Sequence, residues 1–166
     1  AGYIDGAQGF NGDPNYMRLP AGISTANMTT QITTVAWVYP TNFLPGASFE
    51  GIISDRYDGD NNVQFEMYLS ESGKIAAGFY DGSWQQISPA AALPLNQWSH
   101  VAATYDGHYI RVYNNGVQVA ISADFNKGTI LGTSGWSIGH RHDATDNWFG
   151  LIDEAQVSQP IEDGQA

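Results

Sequence analysis

The chain has 166 residues, with 19 glycines, no cysteine, 13% aromatic residues and a formal net charge of −11. That acidic excess repels polyanions and argues against nucleic acid and anionic membrane surfaces as partners. Without cysteine there is neither a disulfide framework nor a thiolate metal site, and no apolar run approaches the roughly 18 residues of a membrane span, so membrane insertion is not expected.

In chain order, alternating apolar residues bounded by turn signals predict strands over 7–11, 15–19, 31–39, 51–56, 63–70, 74–80, 84–88, 98–105, 109–113, 116–122, 135–140 and 148–158. The segments 41–50 and 89–97 carry prolines and read as loops. Asp106-Gly107 and Asn115-Gly116 supply dipeptides suited to the positive φ angles of primed hairpin turns. No long window shows a helical period, so the expected fold class is all-β, a two-sheet antiparallel sandwich. One domain is assigned to 1–158, and 159–166 reads as a polar tail or the start of a linker.

GFNGDPNYMRLP at 9–20, TTVAWVYPTN at 33–42, WSHVAATYDG at 98–107, IRVYNNG at 110–116, SIG at 137–139 and GLIDEAQVS at 150–158 follow one another in a familiar order. Together they resemble the laminin-G-like domains of the concanavalin A-like lectin/glucanase superfamily. The resemblance implies a jelly roll whose common uses are carbohydrate binding and adhesion, often as an accessory module of a larger secreted or cell-surface protein. It also implies a structural calcium ion where the first and last strands meet. Asp153 of the closing IDE motif matches that region, with the carbonyl or side chain of Asn11 and its neighbours Gly12 and Asp13 as partners, although family members usually show aspartate where Asn11 stands.

Strand parity supplies the first candidate site. Val63, Phe65, Met67 and Leu69 form the apolar set of one strand and Ile75, Ala77 and Phe79 that of the next, which sends Gln64, Glu66, Tyr68, Ala76, Gly78 and Tyr80 to the outer face. Sugar rings stack their C–H faces on aromatic planes and bond their hydroxyls to amides, carboxylates and guanidinium groups. Gln64, Glu66, Tyr68, Tyr80 and Trp84 make such a set, with Arg56, His140 and Arg141 at its margin. Cross-strand aromatic pairing would also explain the tyrosines without a ligand.

A second candidate is a loop-end pocket. Asp55, Tyr57, Asp58, Asp60 and Asn62 fall in one polar cluster, and His140, Arg141, His142, Asp143, Asp146 and Trp148 in another; Tyr57 and Trp148 would stack on a terminal sugar. Asp58, Asp60 and Asn62 alternate as calcium ligands do, yet Val63 replaces the turn glycine of an EF-hand and Leu69 its closing glutamate. His140 and His142 share parity as zinc ligands do, without an evident third ligand.

Catalysis is the rival reading, because the same superfamily includes glycoside hydrolases and polysaccharide lyases. Its glucanases usually carry their carboxyl groups as E-x-D-x-E on one strand, and this chain has no such run. Asp153 and Glu154 are adjacent, which places them on opposite faces, and no G-x-S-x-G elbow occurs. The expectation is a noncatalytic module that binds a polysaccharide or glycan. A protein-binding adhesion module, or a spacer beside other domains of the same polypeptide, is the alternative.

Overall fold

The computed structural model describes residues 6–12, 15–19, 28, 30–44, 49–55, 63–70, 73–87, 92–127, 130, 135–141 and 146–159. Among these residues twelve strands run in chain order as β1 (Gln8–Asn11), β2 (Met17–Arg18), β3 (Ile32–Pro40), β4 (Glu50–Ser54), β5 (Glu66–Ser70), β6 (Lys74–Tyr80), β7 (Trp84–Ile87), β8 (Ser99–Tyr105), β9 (Ile110–Asn114), β10 (Val117–Ile121), β11 (Ser137–Ile138) and β12 (Phe149–Ser158). The first sheet is ordered β1-β12-β3-β8-β9-β10 and the second β2-β11-β4-β5-β6-β7, with six strands each. All strand pairs are antiparallel, and no α-helix occurs among the described residues.

Each sheet turns one face inward because apolar side chains alternate along its strands. In β3, Ile32, Ala36 and Val38 are fully buried, whereas Thr33, Val35, Trp37 and Tyr39 are half-buried on the other side. Phe65, Met67 and Leu69 meet Ile75, Ala77 and Phe79 in the core, as parity requires, together with Val101, Ala103, Tyr105, Ile110 and Val112.

Three expected strands are markedly shorter, and of the run at 15–19 only Met17 and Arg18 pair. The run at 63–70 enters the ladder at Glu66, because Val63, Gln64 and Phe65 are held outside the named strand pairing, Gln64 through Asp55. The run at 135–140 pairs only at Ser137 and Ile138, after which Gly139 takes a φ of 79° and turns the chain. Asn115 and Gly116 have φ angles of 50° and 78°, the signs of a type I′ turn. Asp106 does not take a positive φ. Its carboxylate instead accepts the His108 and Tyr109 N–H groups, at 3.0 and 2.7 Å, and closes a longer loop.

Glu50 opens β4 as a buried carboxyl group, 2% exposed. Its Oε1 accepts the Leu44 N–H at 2.8 Å, while Oε2 is enclosed with no hydrogen-bond partner among the described residues. Burial pushes the carboxyl up to about 7, against the pull of the Leu44 and Phe149 N–H groups. The folded chain thus keeps a proton that the unfolded chain releases near the ordinary glutamate value of 4.5. Stability contributed in acid is therefore lost as pH rises through that interval. We expect the melting temperature of wild type to fall relative to that of Glu50→Gln between about pH 5 and 8, and parallel pH profiles would show that Glu50 does not titrate there.

Candidate functional site

Across the second sheet, register places Glu66 opposite Gly78 and Gly78 opposite Gln86, with Tyr68 opposite Ala76 and Tyr80 opposite Trp84. These residues share the face turned away from the core. Because β6 contributes only Ala76 and Gly78 beside Glu66 and Tyr68, the middle of this face has room for a large side chain from elsewhere. Arg141 fills it.

The chain reaches that position by crossing β4 closely. A Cβ on Gly51 would lie 2.2 Å from the His140 carbonyl carbon, so only glycine lets the 139–141 segment pass. Gly51 N–H and Arg141 N–H both donate to the Asp146 carbonyl, each at 3.2 Å, which ties β4 and Arg141 to the same residue. The Arg141 guanidinium then donates from Nε and Nη2 to Glu66 Oε1, at 3.0 and 2.9 Å, and from Nη1 to Asp146 Oδ2 at 3.4 Å. Its Cζ sits 4.3 Å from the ring centres of Phe49 and Tyr68 and 5.6 Å from that of Trp84. The side chains of Arg141 and Glu66 are 5% and 0% exposed. Glu66 and Asp146 hold the guanidinium charged and raise its pKa further, against the opposing effect of burial.

Several expected contact residues are therefore interior ones. Gln64, Glu66, Tyr68, His140 and Arg141 are gathered on or beside the predicted face, but all are buried and none lies open to a ligand. The reason is that parity assigns a face and says nothing of a segment crossing over it. Gln64 donates to the Met28 carbonyl at 3.2 Å, and the His140 ring stacks on Tyr16 at 4.7 Å. Trp148 is fully buried in the core cluster, so the loop-end stacking role expected for it is wrong. Arg56, Tyr57, Asp58, Asp60, Asn62, His142 and Asp143 lie outside the described residues, as does Asp13.

Tyr80 and Trp84 keep part of their surface in solvent, with ring centres 5.4 Å apart in an edge arrangement. Beside them Gln86 is exposed, and its Oε1 accepts the Tyr68 hydroxyl at 2.9 Å. Among the described residues, the Gln86 amide nitrogen and the Tyr80 hydroxyl have no partner. An open aromatic rim with free neutral donors thus rests on a buried ionic floor. Phe49, Gln86 and the pairing role of Asp146 escaped the sequence reading. Gln86 shares Trp84's parity and was legible there, whereas Phe49 precedes its strand and carried no signal.

The calcium set does not converge. Asn11 pairs with Phe149 and Gln8 with Ile152, so Asn11 and Asp153 stand four residues apart along paired strands, about 13 Å. Calcium–oxygen bonds of about 2.4 Å cannot join two such short side chains. Asn11 Oδ1 accepts from Asn15 at 3.0 Å and Asp153 Oδ1 accepts the Glu154 N–H at 2.9 Å. Among the described residues no three histidine, aspartate or glutamate side chains form a metal-binding group. Asp153 instead lines a cavity of about 560 Å³ with Met17, Ile138, Ile152 and Glu154, next to the bulge in β12.

A laminin-G-type family model, described as concanavalin A-like lectin/glucanases superfamily, matches residues 11–160. The chain belongs to that superfamily. Among solved structures it is similar to the CBM40 module of the Ruminococcus gnavus IT-sialidase bound to α2,3-sialyllactose, with 16% identity, a TM-score of 0.74, and coverage of 95% of this chain and 91% of that one. Domain 4 of the extracellular GH43 arabinanase of Geobacillus stearothermophilus, in complex with arabinotriose, gives 24%, 0.68, 95% and 72%. The LG4-5 domains of the mouse laminin α1 chain give 10%, 0.69, 92% and 40%. At these identities the likeness is one of fold. No curated protein matches the chain.

Removing Glu66 would leave the Arg141 charge enclosed against three rings with only Asp146 to answer it. Glu66→Ala should destabilise the fold by about 3–5 kcal/mol in urea denaturation. A loss below about 1 kcal/mol, typical of a solvent-screened pair, would contradict the buried arrangement.

Proposed function

We propose that this superfamily member is a noncatalytic carbohydrate-binding module whose ligand lies on the outer face of the second sheet, against Trp84, Tyr80 and Gln86. One observation carries the reading: the half-open Tyr80–Trp84 pair adjoins free hydrogen-bond donors on a floor that cannot rearrange cheaply. A sugar ring can stack on the indole while the Gln86 amide and the Tyr80 hydroxyl meet its hydroxyl groups. The oligosaccharides present in the sialidase-module and arabinanase-domain structures support a glycan as the ligand class.

The noncatalytic part rests on the carboxyl groups. Glycoside hydrolysis needs one ionised carboxylate and one raised acid flanking an accessible bond. Glu66 and Asp146 are both committed to Arg141, and the raised Glu50 is enclosed in the protein. An accessory role in a larger secreted or surface protein fits the relatives, one of which is a domain of an extracellular arabinanase.

Affinity gel electrophoresis over a panel of soluble polysaccharides tests the proposal. Trp84→Ala should weaken retention by about ten-fold, roughly 1.4 kcal/mol, while the chain still folds, as circular dichroism would show. Trp148→Ala should instead lose about 3–5 kcal/mol of stability, as an emptied core site does. Unchanged retention in a folded Trp84→Ala variant would remove the site from this face.

A further inference from the structure

We infer that the face around Trp84 selects neutral sugars and discriminates against acidic ones such as sialic acids and uronic acids. The inference rests on the carbohydrate reading and names the ligand class of that same site. An arginine beneath aromatic rings is the group that would ordinarily recognise a sugar carboxylate, through its bidentate fork. Here the fork is already used. Nε and Nη2 serve Glu66 and Nη1 faces Asp146, so one cation stands against two carboxylates, and the guanidinium is almost wholly enclosed.

The other described cations are badly placed to replace it. Lys127 is paired with Asp81 at 2.8 Å, which adds a third carboxylate close to the rim instead of a free charge. Lys74 lies on the outer face but six residues along β6 from Tyr80, about 20 Å away. Arg18 is on β2, at the opposite edge of the second sheet, five strand spacings or about 24 Å from β7. Arg111 is paired with Asp106 on the first sheet. Both distances exceed the Debye length of about 8 Å at physiological salt. Arg56 falls outside the described residues. What the rim itself offers is neutral: an indole face, a phenol hydroxyl and a primary amide. The whole chain, at −11, opposes anionic ligands further.

Matched glycan pairs test this with the wild-type chain: lactose against 3′-sialyllactose, and galactan against polygalacturonan, by calorimetry and affinity gels. The neutral member of a bound pair should be held at least about ten-fold more tightly, and its affinity should change by less than about two-fold between 50 and 500 mM NaCl. Equal or tighter binding of the acidic member, weakened by salt, would overturn the selectivity while leaving carbohydrate binding intact. No binding of any glycan across a broad neutral and acidic array would overturn the carbohydrate reading, and the inference with it.

Discussion

A guanidinium group buried under three aromatic rings and held by two carboxylates is the contact on which the arrangement of the second sheet's outer face depends. Arg141 comes from a turn between the two-residue strand β11 and the long closing strand β12, and it reaches Glu66 in the middle of the sheet. The pair spans 75 positions of sequence, so it forms only once the sandwich has assembled. Desolvating such ions is expensive, and a buried ion pair is weak evidence of net stability. Its value here is geometric: it fixes where Tyr68, Phe49 and Trp84 lie relative to one another.

Rigidity of that kind matters for a shallow ligand site. An open face exchanges ordered water for hydroxyl contacts and gains mainly from stacking, so little is left to offset the cost of ordering mobile side chains. Trp84 is already in contact with Arg141 and Tyr80, and Gln86 is oriented by the Tyr68 hydroxyl. In the proposed site the floor is prepared before any sugar arrives. The same commitment removes the cation from the proposed ligand recognition, so stiffness and the inferred charge selectivity would have one cause.

The fold was legible because period two is a local property. Alternation in β5 and β6 placed Met67, Leu69, Ile75 and Phe79 inward, and Asn115-Gly116 closed its hairpin as a primed turn. Turn chemistry was partly legible at Asp106-Gly107: Gly107 takes a positive φ of 93°, whereas the Asp106 side chain captures two backbone N–H groups instead of adopting one itself. The site was half legible. Parity gave the right face for Glu66, Tyr68, Tyr80 and Trp84, but exposure on a face depends on what crosses it, and Gly51 did not announce that His140 and Arg141 would pass over it. Trp148 misled because it follows a polar run, and a strand that begins at Phe149 carries it into the core. The calcium set failed on register: Asn11 and Asp153 belong to neighbouring strands, yet four residues out of step.

A second aromatic group gives the account a natural internal control. On the outer face of the first sheet, Tyr39 lies 5.5 Å from Trp98 and Trp37 lies 5.1 Å from His100, all half-buried. Titrating the isotope-labelled chain with a neutral oligosaccharide that it retains, and following backbone and indole N–H resonances, separates the two faces directly. The predicted result is that perturbations cluster at Tyr80, Trp84 and Gln86 while Trp37, Tyr39 and Trp98 stay unchanged. Perturbations confined to Trp37, Tyr39 and Trp98 would contradict it.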